Sequence, residues 1–152
     1  MAEKFEMKGW FRLANRMMTG MVKLGFTPNH TVLLTVPGRK SGVPRTNPVS
    51  VIEVNGERYI QSPYGNVDWV RNVRAAGQAI IQVGRRKDPV RMQELTSQEA
   101  VPVVREVLRV APKFLRNFYD ASSDASPAEL ELEAAKHPVF RVLPLSMVAE
   151  AS

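Results

Sequence analysis

The densest run of chemistry-bearing side chains in the chain is Pro37-Gly38-Arg39-Lys40-Ser41-Gly42-Val43-Pro44-Arg45-Thr46-Asn47-Pro48. Two glycines let the backbone curl so that amide N–H groups turn inward. Arg39, Lys40 and Arg45 supply three cations, and Ser41 and Thr46 add hydroxyl donors. A turn of this make-up suits a phosphate or a cluster of carboxylates; a solvent-exposed basic turn has the same composition. The Walker spacing does not fit, and no helical pattern follows it. Elsewhere reactive groups are sparse. With no cysteine there are no disulfides, thiolate metal sites or cysteine nucleophiles. His30 follows Pro28-Asn29 in a turn and His137 precedes Pro138 at a helix end, so both read as structural or capping groups.

The charge is lopsided. Twenty-one Lys and Arg against fifteen Asp and Glu give a net +6 over 152 residues, and residues 1–50 hold eight of the cations against Glu3 and Glu6. One electropositive end points to an anionic partner: phosphate, polycarboxylate, nucleic acid or a lipid headgroup. Nucleic acid is disfavoured, because Trp10 and Phe11 lie in or near an apolar stripe instead of interleaving with cations, and no recognition motif is present. No apolar run approaches the ~20 residues that span a bilayer, and no signal-peptide pattern opens the chain, so a cytoplasmic protein is expected.

The elements that must position the basic turn follow from periodicity. The length and apolar content suit a single domain over 1–152, with an amphipathic helix within 1–24 and a core over 28–145. In the helix, Trp10, Leu13, Ala14, Met17, Met21 and Leu24 form one stripe while Lys4, Lys8, Arg12 and Arg16 form another. Such a stripe is buried on the chain's own core, on a partner subunit, or on the anionic inner face of the plasma membrane as a peripheral contact. Strands are predicted over Thr31–Val36, Val49–Val54, Arg58–Gln61, Ala79–Val83, Val90–Leu95 and Val139–Leu143, with Asn55-Gly56 as a hairpin turn. Helices are predicted over Asp68–Ala76, after the capping box Thr96-Ser97-Gln98-Glu99, and after Ser126-Pro127. This order predicts a mainly β protein with flanking helices: a six-stranded antiparallel sheet closed into a small barrel.

Leu33-Leu34-Thr35 followed by Gly-Arg-Lys-Ser-Gly-Val-Pro-Arg-Thr-Asn-Pro resembles the deazaflavin-dependent nitroreductase and oxidoreductase family of actinobacteria. Similarity continues through Ser62-Pro63-Tyr64-Gly65-Asn66 and Trp69-Val70-Arg71-Asn72-Val73-Arg74-Ala75, covers residues 25–95 well and the second half loosely. The resemblance implies a split β-barrel that binds coenzyme F420 (8-hydroxy-5-deazaflavin) and passes hydride to an electron-poor acceptor such as a quinone, enone or nitroaromatic. Carried over residue by residue, it implies a cofactor site of Gly38, Arg39, Lys40, Ser41, Gly42, Arg45 and Thr46 on the phosphate and tail. Asn47, Pro48 and Val49 would lie under the ring, Ser62, Tyr64 and Gly65 opposite, and Trp69 and Asn72 would brace the turn. A tryptophan on a short helix also packs into cores.

Some members of that family carry tyrosines near a Pro-x-aromatic sequence, and Ala111-Pro112-Lys113-Phe114 resembles that spot without a hydroxyl. The catalytic candidates are therefore Tyr119 and Ser62, with solvent as the alternative proton source. Val101, Val104, Val107, Leu108, Val110, Phe114, Leu115 and Phe118 form a core face by default, or line a pocket for a small hydrophobic substrate with Met17, Met18 and Met21. Two rival readings stand beside the reductase. One is an FMN-dependent oxidoreductase on the same barrel, although FMN's single phosphate needs fewer cations. The other is a non-catalytic, membrane-associated module that binds a lipid or fatty acid. A homodimer is held open, since related barrels complete pockets from two subunits.

Overall fold

The computed structural model describes residues 9–27 and 30–145, without the side chains of Trp10 and Phe11. The expectations on Lys4, Lys8, Pro28 and Asn29 lie outside these residues. In chain order the elements are α1 (Gly9–Lys23), β1 (Thr31–Pro37), β2 (Pro44–Val54), β3 (Glu57–Gln61), α2 (Asp68–Ala76), β4 (Gln78–Val83), β5 (Arg86–Glu94), α3 (Val101–Val110), α4 (Lys113–Arg116), α5 (Pro127–Lys136) and β6 (Val139–Pro144). The six strands close into a barrel in the order β1-β2-β3-β6-β5-β4, with every neighbouring pair antiparallel.

Local chemistry sets the corners. Asn55 and Gly56 both take positive φ, which gives the primed two-residue turn whose twist matches a hairpin. Thr96 Oγ1 accepts from the Glu99 N–H while Glu99 Oε1 accepts from the Thr96 N–H, closing the capping box reciprocally. Ser126 caps α5 with a single bond, its Oγ accepting from the Glu129 N–H.

Two apolar cores result. Inside the barrel, alternate residues of every strand pack together: Val32, Leu34 and Val36 of β1, Val49 of β2, Ile60, Ala79, Ile81, Val90, Met92, Phe140 and Val142. Trp69, Val70 and Val73 of α2 join them and plug the end of the barrel at which the basic turn lies. The second core lies outside the barrel, where α3 and α5 pack on Ile52, Val54 and Tyr59 and enclose Tyr119, Leu130 and Val139.

Two expectations need correction. Strand β2 starts at Pro44, five residues before Val49, because Pro44–Ser50 pair in register along the whole of β1. The cross-strand partner overrides the poor strand propensity of two prolines. The turn proper is thus only residues 38–43. In the second half of the sequence, Val104 and Leu108 are core residues, whereas Val110 and Phe114 are exposed, so α3 does not join Met17 and Met21 in one enclosed apolar pocket.

Candidate active site

The basic turn is held from below and closed on itself. The Gly38 N–H donates to Val43 O at 2.8 Å and the Gly42 N–H to Gly38 O at 2.8 Å. The Val43 N–H donates to Ser41 Oγ. A Cβ on Gly38 would sit 3.1 Å from Ser41 Oγ and 3.2 Å from Val43 O, so only glycine allows this closure without movement. The Gly38, Gly42 and Val43 amides are thus spent inside the turn.

Helix α2 supplies the brace. Asn72 is 4% exposed, and its Oδ1 accepts both the Arg39 N–H at 3.1 Å and Arg39 Nη1 at 2.9 Å. Arg39 Nη2 lies 3.5 Å from Asp68 Oδ1 at the start of the same helix. Of the three cations, Arg39 therefore faces its own helix. Lys40 and Arg45 are exposed, and among the described residues neither has an ion pair within the chain.

Strand alternation sorts the residues that follow. Asn47 and Val49 pair with Leu34 and Val32 and share their inward face, whereas Arg45, opposite Val36 at the rim of the barrel, is exposed. Thr46, Pro48 and Ser50 point outward, where Thr46 Oγ1 meets Thr35 Oγ1 at 2.7 Å. Val49 is a barrel-core side chain, and so is Trp69, tilted on Phe140 at 6.0 Å. Both side chains are thus packed in the core, below the surface that Lys40 and Arg45 present. Because α1 packs on β1, β2 and β4 while α3 packs on β2 and α5, the outer face of β2 runs between two helices with the basic turn at one end. A cleft of about 400 Å³ lined by Gln78, Arg91, Gln93 and Leu145 lies apart from this face, on β4 and β5.

A family model for F420H2-dependent quinone reductases matches residues 10–124, most of the chain, including the basic turn, β2 and α2. The chain belongs to this family. It is an F420-dependent reductase, with coenzyme F420 as its cofactor, and this sets aside FMN and the non-catalytic module. Solved structures agree on the barrel. An F420-H2 dependent reductase (FDR-A) is 24% identical over 74% of this chain and 93% of that one, with a TM-score of 0.51. A structure described as a domain-swapped dimer is 23% identical over 88% and 96%, with a TM-score of 0.53. A NimC/NimA family protein from Clostridium acetobutylicum is 17% identical over 88% and 87%, with a TM-score of 0.52. At these identities the likeness concerns the fold. No curated protein matches the chain closely enough to count.

The reductase keeps its two candidate catalytic hydroxyls in internal bonds. Ser62 is fully buried and its Oγ donates to Gly65 O at 2.6 Å, while its N–H donates to Pro138 O. Gly65 sits at φ 80° with a hypothetical Cβ 3.3 Å from Lys136 O, so this turn is pressed against α5. Tyr64 is half-buried, edge-on to Phe118 at 5.3 Å. Tyr119 is 6% exposed, its hydroxyl donates to Gln61 Oε1 at 2.7 Å, and burial pushes its pKa far above the ordinary phenol value. Tyr119 thus lies in the second core, where its ring stacks 4.1 Å from His137.

What sequence reasoning missed is the centre of that second core. Glu133 is 2% exposed and its Oε1 accepts from the Asp120 and Ala121 N–H groups at 2.7 and 2.8 Å. Its Oε2 lies 3.4 Å from His137 Nε2. The available signal was the i,i+4 spacing of Glu133 and His137 on α5.

Burial holds the His137 pKa below the usual imidazole range; nearby Glu133 pulls upward without prevailing. The unfolded chain takes up this proton near pH ~6.5 while the folded chain resists it, so His137 costs stability as pH falls below that point and has no effect above it. We predict that the parent loses about 1 kcal/mol more than His137→Phe between pH 7.5 and 5.5. Thermal melts at both pH values check this, and parallel curves for the two proteins refute it.

Proposed function

We propose that this reductase delivers hydride from F420H2 to a quinone-type, electron-poor acceptor over the outer face of β2, with residues 38–43 and the start of β2 as the anion cradle. The observation that carries this reading is the division of labour among the three cations. Arg39 is committed to Asn72 and Asp68, which fixes the turn, and Lys40 and Arg45 are left exposed for a polyanionic partner.

The donor set fits the cofactor. A phosphate and a carboxylate tail call for separated cations and hydroxyls, which Lys40, Arg45, Ser41 and Thr46 offer. Bound there, F420 supplies the hydride chemistry, and the protein contributes orientation and electrostatics. Pro48 presents a rigid wall on the outer face of β2, adjoining the Thr35–Thr46 hydroxyl pair. Ser62 and Tyr119 are engaged within the fold, so the proton that completes reduction is drawn from water.

Expected on this reading, Lys40→Ala and Arg45→Ala each weaken F420 binding by about three- to fivefold at low salt, and the loss shrinks as salt screens the contact. Fluorescence titration with oxidised F420 measures it. Parent-like affinity of both variants at low salt would place the anion site elsewhere. A reduction assay with F420H2 against quinones, enones and nitroaromatics tests the acceptor, and a uniform failure with quinones overturns that part.

The same proposal includes a peripheral membrane contact, because quinones of long chain reside in bilayers. Helix α1 docks on the barrel through Val22, with Met18 and Thr19 half-buried beside it. Its apolar stripe faces away: Leu13 is 60% exposed, Met17 64% and Leu24 79%, with Phe26 beyond. Arg12, Arg16 and Lys23 flank this ridge, an arrangement that fits an anionic interface. No described helix is long and apolar enough to cross a membrane. The neighbour described as a domain-swapped dimer makes a second copy of the chain the rival occupant of the ridge.

A further inference from the structure

Resting on that membrane reading, we infer that the β4–β5 turn, Gly84-Arg85-Arg86-Lys87, is a second contact to an anionic lipid surface, built into one face with helix α1. Two observations join turn and helix. The Gly84 N–H donates to Val22 O at 2.9 Å, and a Cβ on Gly84 would lie 3.9 Å from Gly25 Cα. The hairpin is thus hydrogen-bonded to the last turn of α1, next to the exposed Leu24 and Phe26.

The register then fixes where its charge goes. Lys87 pairs with Gln82, and Gln82 pairs with Leu33. Side chains directly opposite one another in a sheet share a face, and here the shared face is the barrel's outer one, since Leu34 and Ile81 fill the core. Helix α1 packs on the outside of β1 and β4, so Lys87 stands on the side of the sheet that the helix occupies. Arg85 is at the tip of the turn, exposed. Arg86 is paired with Asp88 at 2.9 Å and adds little net charge. Lys23, next to the hydrogen-bonded Val22, is a third exposed cation at this junction, and Met21, Leu24 and Phe26 are exposed at the same helix end.

Exposed apolar residues beside cations match a bilayer interface, where side chains enter the acyl boundary and cations meet headgroup phosphates. The sequence alone conceals this, because residues 51–152 are neutral in sum and the turn is sixty residues from the helix.

The test is sedimentation of the full chain with vesicles of phosphatidylcholine, with and without phosphatidylglycerol, alongside analytical ultracentrifugation. The parent is expected to partition onto the anionic vesicles and weakly onto the neutral ones. Neutralising two cations, Arg85→Gln with Lys87→Gln, is expected to cut anionic partitioning about thirtyfold at low salt, at roughly a factor of five per cation near such a surface. Its melting temperature and its activity with a water-soluble quinone should match the parent. Met17→Glu should abolish partitioning onto both kinds of vesicle. If the double variant partitions like the parent while Met17→Glu does not, the turn is no contact and the helix reading stands alone. If the parent ignores vesicles, or is a dimer that Met17→Glu converts to monomer, both ideas are overturned.

Discussion

Replacing Asn72 by leucine is expected to lower F420 affinity at least about tenfold and to remove about 2–3 kcal/mol of stability. The side chain is buried and one oxygen serves two donors of Arg39, one on the backbone and one on the guanidinium. Leucine has nearly the same shape, so the change isolates the lost acceptor. It leaves the Arg39 amide without an acceptor at the foot of the turn and the guanidinium with only its 3.5 Å contact to Asp68, and bonds to charged groups are the stronger ones. Asn72→Asp keeps an acceptor in place and should retain parent-like binding. Fluorescence titration and chemical denaturation read the two effects separately. A variant that is less stable yet binds F420 like the parent would show that Asn72 belongs to the core alone and does not set the turn.

This brace also marks how far the sequence carries. The closed six-stranded barrel, the hairpin at Asn55-Gly56 and the Ser126 cap of α5 were legible, because each depends on a local pattern or a short turn, whereas the Thr96–Glu99 box closes a turn just ahead of α3, whose N-cap is Ala100. The basic turn was legible as a cluster of cations but not as a structure. Which of Arg39, Lys40 and Arg45 is engaged within the fold depends on Asn72 and Asp68, thirty residues away on a helix that happens to plug the barrel. Trp69 and Val49 were placed in the cofactor site by analogy and sit in the barrel core, because alternation and helix phase send them inward. The direction of α1's stripe was invisible for a similar reason. Periodicity shows that a helix has two faces, whereas the contacts made by Val22 decide which of them meets the barrel.

The other large effect is expected at Glu133. Glu133→Ala should cost about 3–4 kcal/mol and lower the melting temperature by about 10 °C. One carboxylate oxygen holds two successive backbone N–H groups after α4, and Lys136, which also pairs with Asp120 at 2.7 Å, lies 3.8 Å from it. Alanine strands those donors and leaves a void beside His137 and Tyr119. Glu133→Gln retains the accepting oxygen and places an amide donor toward the imidazole, so its cost should stay near 1 kcal/mol. Calorimetric scans of both variants decide the matter. If alanine and glutamine melt alike, the carboxylate is not what fastens residues 120–121 to α5.

A ring of strands has a particular consequence for how this chain comes off the ribosome. Strand β6 supplies the edge partners of both β3 and β5, yet Val139–Pro144 lies about eighty residues after the first of them. Until that late segment emerges, one open five-stranded sheet waits with bare backbone groups along its two facing borders, β3 and β5, open to pairing with a stranger. Nascent chains stalled before residue 139 should be sticky and protease-sensitive, and emergence of residues 139–144 should convert them in one step.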